Sequence, residues 1–82
     1  MTLYHDERVP LGSRVLTYDQ KYLGTIDDCT TGYFKVRQWW GRDYWLNEVL
    51  IRDSDNALTT LHISRQTVDR YKLPLPPNVE AS

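Results

Sequence analysis

The sequence predicts a small, mostly β fold: a closed or strongly curled antiparallel β-barrel of about six short strands with a short C-terminal helix. Three observations carry this expectation. Segments rich in β-branched and aromatic residues recur along the chain between polar or glycine-containing turns, at the spacing typical of all-β domains. One of these segments contains Gly24, and a glycine within a strand marks the kind of bulge that bends a sheet toward closure. Apart from a single turn at residues 47–49, only the stretch after Ser64 reads as a helix, and prolines stop it early.

In chain order, residues 1–12 mix charges with Pro10 and Gly12 without a clear period and read as an extended arm. Arg14-Val15-Leu16-Thr17-Tyr18 is a first strand ending in the polar turn Asp19-Gln20-Lys21. In the next segment Leu23, Ile26 and Cys29 stand three apart, a spacing that suits a helical stripe. Gly24-Thr25 and Asp27-Asp28 argue against helix, and a bulge at Gly24 would shift the alternation of a strand by one residue. Thr30-Thr31-Gly32 then turns the chain into Tyr33-Phe34-Lys35-Val36-Arg37, where Phe34 and Val36 alternate with polar neighbours.

Residues 38–42 form a tip, and Asp43-Tyr44-Trp45-Leu46 resumes a strand. Asn47-Glu48-Val49 fits one helical turn before the brief strand Leu50-Ile51-Arg52, and Asp53-Ser54-Asp55-Asn56 is a turn. In the last strand Thr59, Leu61 and Ile63 alternate with Leu58, Thr60 and His62. Ser64 suits an N-cap for a helix over residues 65–72, with Val68 and Tyr71 packing on the sheet. Pro74, Pro76 and Pro77 then begin a stiff tail over residues 74–82, so the domain proper spans residues 13–73.

The chain has 82 residues, room for one domain that buries only about 60 % of its unfolded surface. Its hydrophobic fraction of 40 % and charged fraction of 26 % are those of a folding chain. With 3 Trp and 6 Tyr against 1 Phe, it favours rings with an apolar body and a polar tip. A net charge of -1 supplies no global basic field for nucleic acid. The first residues lack the basic and apolar runs of a signal peptide, and no stretch has the length of a membrane span, so the expectation is a cytoplasmic protein without membrane insertion. The single Cys29 leaves no intrachain disulfide and no Cys-based zinc site.

Candidate chemistry is sparse. Cys29 with His5 or His62 has the residue types of a nucleophile and base, but Cys29 is in line with Leu23 and Ile26 as a small apolar residue, and no motif supports the geometry. Residues 53–56 have the acidic spacing of a calcium loop's start, yet Leu58 stands at its glycine position and Ser64 at its final acidic position. Asp27, Asp28 and Glu48 read as solvated strand ends. No catalytic residue, metal or cofactor is expected.

The binding candidates are Trp39, Trp40, Tyr44 and Trp45, interleaved with Arg37 and Arg42. Exposed Trp, Tyr and Arg are enriched among interface hot spots. Alternation sends Tyr44 and Leu46 to one face and Trp45 to the other. These rings either contact a partner, stack on single-stranded bases beside the arginines, or cover the end of the barrel.

The order of features from Val15 to about Leu73 resembles the PRC-barrel family and its small stand-alone bacterial members. Leu23-Gly24-Thr25-Ile26 looks like that family's hydrophobic-Gly-Thr-hydrophobic signature, and Tyr33-Phe34-Lys35-Val36 like its third strand. Arg42-Asp43-Tyr44-Trp45-Leu46 and Leu61-His62-Ile63-Ser64-Arg65 are similar to its later strands and the start of its final helix. Asn47 and the paired Trp39-Trp40 depart from the pattern. The resemblance implies a β-barrel used for binding or assembly, in settings as different as a photosynthetic reaction-centre subunit and a ribosome-maturation factor. The expected function is a non-enzymatic, self-associating, protein-binding module, with a single-stranded RNA-binding barrel as the alternative.

Overall fold

The computed structural model describes residues 9–75. Its strands are β1 (Arg14–Leu16), β2 (Tyr22–Thr30), β3 (Tyr33–Arg37), β4 (Tyr44–Asn47), β5 (Ile51–Ser54) and β6 (Leu58–Leu61). A 3-10 turn, Glu48–Leu50, links β4 to β5, and one helix, α1 (Arg65–Val68), follows β6. The strands form one sheet in the order β4-β3-β2-β1-β6-β5.

Two parts of the sequence expectation need correction. The sheet is mixed rather than antiparallel, because β1 runs parallel to β6, pairing Arg14 with Leu58 and Leu16 with Thr60. It is also open rather than closed. Closure would need β4 to pair with β5, but the outer edge of β4 is already engaged by the chain after α1. The Trp45 N–H donates to the Leu73 carbonyl at 2.8 Å, and the Leu73 N–H donates back at 3.0 Å.

The long strand β2 explains the three-residue spacing. Val15 pairs with Gly24 and Leu16 with Tyr22, which leaves Leu23 as the extra residue of a bulge. Ile26 pairs with Val36 and Asp28 with Lys35, which leaves Asp27 as the extra residue of a second. Each bulge adds one residue to the two-residue period, so Leu23, Ile26 and Cys29 all face the core.

Val15, Leu23, Ile26, Phe34, Val36, Tyr44, Leu46, Leu50, Leu61 and Val68 form one buried cluster with Val9, which lies within the stretch read as an arm. Six strands and a four-residue helix enclose such a cluster only if the sheet curls over its inner face. Full burial of Phe34, Leu46 and Leu61 stabilises the fold by roughly 1.5–3 kcal/mol per side chain. Beside them, the buried Thr59 hydroxyl meets Ser13 Oγ at 2.9 Å and Ser54 Oγ at 2.8 Å, and Ser13 Oγ donates to the Asp55 carbonyl. Polar groups buried this way are satisfied as a set.

The Ser64 side chain accepts from the Thr67 N–H at 3.3 Å, and Asp19 Oδ1 accepts from the Arg65 N–H at 3.0 Å, which ties the β1–β2 turn to the helix start. The helix is shorter than expected. Beyond Val68 the Arg70 and Tyr71 N–H groups bond three residues back, to Thr67 and Val68. This tighter winding carries Tyr71 away from the sheet, where it is exposed, while Val68 is fully buried.

Candidate functional site

The tip between β3 and β4 owes its position to Gly24. Its φ of +143° is open to glycine, and a Cβ there would run into the Arg37 carbonyl at the end of β3. This close approach lays the tip beside the start of β2, where Tyr22 points outward. Gln38 Nε2 braces the tip by donating to the Arg42 carbonyl at 2.9 Å.

Three rings pack in a row as a result. The Tyr22 and Trp40 centroids are 5.9 Å apart, and Trp40 meets Trp39 edge to face at 5.5 Å. Both separations lie in the range where aromatic pairs attract beyond their area burial. The row stays largely in solvent: Tyr22 is 46 % exposed, Trp40 48 % and Trp39 88 %. Next to it, on the outer face of β2, β1 and β6, Arg14, Leu16, Tyr22 and Leu58 line a groove of about 490 Å³. A second hollow of about 310 Å³ runs along the β5 edge between Glu48, Ile51, Arg52, Asp53 and Ser54.

Among the six residues the sequence nominates, Trp39 and Trp40 come together at the tip, with Arg42 exposed beside them. Arg37 is exposed on β3, where Asp27 Oδ1 holds its guanidinium at 3.6 Å. Trp45 is half-buried under Lys35, whose ammonium lies 5.9 Å from its ring, and it makes no ring contact with the tip among the described residues.

Tyr44 must be removed from the surface set, being only 5 % exposed. It shares a face with Leu46, so alternation carries its ring into the core, and Lys72 Nζ covers that ring from 4.5 Å. Its hydroxyl has no hydrogen-bond partner among the described residues. Burial pushes its pKa up to about 12, with Asp69 acting in the same direction and Arg65 against it. Sequence reasoning missed Tyr22. A signal for it existed in the register of the β2–β3 hairpin, which pairs Thr25 with Arg37 and, carried three residues further, sets Tyr22 against Trp40.

The residues considered for chemistry have other engagements. His62 Nε2 donates to the Val49 carbonyl at 3.3 Å, and Cys29 packs half-buried against the core, while His5 lies outside the described residues. Asp55 Oδ1 accepts the N–H groups of Leu58 and Ala57 at 2.8 and 2.9 Å, which closes a turn over residues 55–58 and holds that carboxyl below its ordinary pKa, whereas Asp53 and Ser54, expected in the turn, belong to β5. No group of three or more His, Cys, Asp or Glu is arranged to hold a metal among the described residues. No helix there is long and apolar enough to cross a membrane. No family model, curated protein or solved structure matches the chain.

Proposed function

We propose that this chain is a PRC-barrel-like interaction module of the cytoplasm, non-enzymatic and self-associating, whose contact surface is the row Trp39–Trp40–Tyr22. One observation carries the reading: three large rings are held against one another in solvent, with Trp39 88 % exposed. Rings already braced in this way lose little conformational freedom when a partner covers them, which is the property that makes Trp and Tyr strong interface anchors. The curled sheet and the Ser64-capped helix support the barrel-like part of the reading.

The charge around the row favours protein over single-stranded RNA. Asp27 engages both Lys35, at 3.4 Å, and Arg37, which offsets two cations that would otherwise face phosphates and leaves Arg42 and Arg14 as the cations beside the row without an ion pair among the described residues. Sedimentation over a concentration series up to high micromolar tests the reading, with Trp39→Ala/Trp40→Ala as the comparison. Association that weakens in the double variant is expected. A wild-type protein that stays monomeric throughout would overturn self-association, and salt-sensitive quenching of tryptophan fluorescence by single-stranded oligonucleotides would favour RNA instead.

A further inference from the structure

The ring row ends in a projection at Trp39 and begins at the groove between Arg14, Leu16, Tyr22 and Leu58. Tyr22 belongs to both: its ring packs on Trp40, and the residue lines the groove. A projecting indole and a largely apolar groove therefore lie side by side on the outer face of one molecule. The groove follows from strand alternation. Val15, Leu23 and Thr59 point into the core, so Arg14, Leu16, Tyr22 and Leu58 point out on three adjacent strands.

We infer that the occupant of this groove is Trp39 of a second copy of the chain, and that two copies dock reciprocally through their outer faces about a two-fold axis. The inference rests on the self-association proposed above and gives that association a geometry. Isologous pairing requires a surface complementary to itself, so that each contact is made twice. A knob beside a groove on one face meets that requirement, whereas either alone would not.

The charges of the groove agree with this occupant. Arg14 lines it and has no ion pair among the described residues, so its guanidinium is available to the face of an incoming indole. Asp43, in the same connection as Trp39, is exposed and likewise unpaired among the described residues, so the connection that carries the knob also carries a charge opposite to that of Arg14. A standard interface covers ~800 Å² per partner, a small part of the 5450 Å² of accessible surface.

The β5 edge serves this purpose less well. A two-fold axis centred on Arg52 or on Asp53, the exposed middle of β5, sets that residue against its own copy, and like charges directly opposite destabilise a strand pair.

A mixing experiment tests the reciprocal geometry. Trp39→Ala removes the knob and leaves the groove, while Leu58→Arg fills the groove and leaves the knob. Both positions are exposed, and circular dichroism establishes that each variant is folded; Arg14→Glu replaces Leu58→Arg if that variant is not. Each variant alone is expected to self-associate at least about 30-fold more weakly than the wild type in sedimentation, the loss typical of a truncated hot-spot ring. An equimolar mixture is expected to associate more strongly than either. The mixed pair keeps one intact contact, and at the other the truncated tip of one copy does not collide with the filled groove of its partner.

Wild-type association that survives both substitutions would overturn this geometry while leaving self-association standing. Variants that weaken but gain nothing on mixing would overturn the reciprocal pairing. A monomeric wild type would overturn both the geometry and the self-association beneath it. Trp39→Ala that abolishes oligonucleotide quenching but not self-association would reassign the face to RNA.

Discussion

Tyr44→Phe isolates the effect of a single oxygen. The ring remains in the core and Lys72 Nζ keeps its place 4.5 Å above it, while the hydroxyl without a hydrogen-bond partner is removed. A buried polar group left unsatisfied costs ~1–3 kcal/mol in desolvation, so the variant is expected to be more stable than the wild type by about 1 kcal/mol at neutral pH. The alkaline limb tests the same environment independently. Burial raises the native pKa from 10.0 to about 12, so the native state holds the phenolic proton after the unfolded state has released it. The contribution is fully present below pH 10 and is lost as pH rises from there toward 12.

Two pKa units correspond to at most ~2.7 kcal/mol, and solvent screening around Arg65, Asp69 and Lys72 reduces the expected loss to about 1–2 kcal/mol. Urea denaturation of both proteins at neutral pH and at several values between pH 10 and 12 measures the two effects. The stability of Tyr44→Phe should fall less over the alkaline interval than that of the wild type. Parallel alkaline limbs, or a variant less stable by 1 kcal/mol or more at neutral pH, would refute the assignment of Tyr44 as a buried, unpartnered phenol.

Gly24→Ala places a Cβ against the Arg37 carbonyl at a φ of +143°, and should destabilise the fold by roughly 3 kcal/mol in denaturant titrations while changing the tryptophan emission as Trp40 leaves Tyr22. Ser64→Ala removes the side-chain cap of α1 and is expected to cost ~1 kcal/mol, read as a lower denaturation midpoint with an unchanged slope. Asp55 has its carboxyl pKa lowered first by the Leu58 N–H and then by that of Ala57, so its contribution is present above the ordinary carboxylate pKa of 3.8 and lost as pH falls through the lower native value. Asp55→Asn keeps the accepting oxygen and should therefore flatten the acid limb below about pH 4 in thermal melts, with little change at neutral pH.

The β character of this chain is legible wherever one strand face is buried and the other wet. Phe34 and Val36 of β3, and Thr59 and Leu61 of β6, stand out for that reason. Gly24 marks the first bulge because only glycine fits there, whereas the second bulge, at Asp27, carries no such residue and leaves no local sign. The parallel partnership of β1 with β6 joins segments more than forty residues apart, and alternation within either strand is the same whichever direction its neighbour runs. The same limit applies at the site. Composition draws attention to the tip, but Tyr44 and Tyr22 exchange roles because one aligns with Leu46 inside while the other lies across a hairpin from Trp40 outside.

The position of β1 has a consequence for how the chain is made. Its three residues stand between β2 and β6 and are the seam that joins the β2–β3–β4 meander to the β5–β6 hairpin. During synthesis β1 is among the first of these strands to leave the ribosome, but its parallel neighbour emerges only after every other strand. At ~5–20 residues per second, Arg14 and Leu16 wait some seconds for Leu58 and Thr60 while the meander assembles beside them. Until then Val15 has only half of its sheet, and the growing chain presents an unpaired strand edge to its surroundings. Completion of the sheet therefore waits on β6, and substitutions in β6 should reduce the yield of soluble protein more than their equilibrium cost alone would predict.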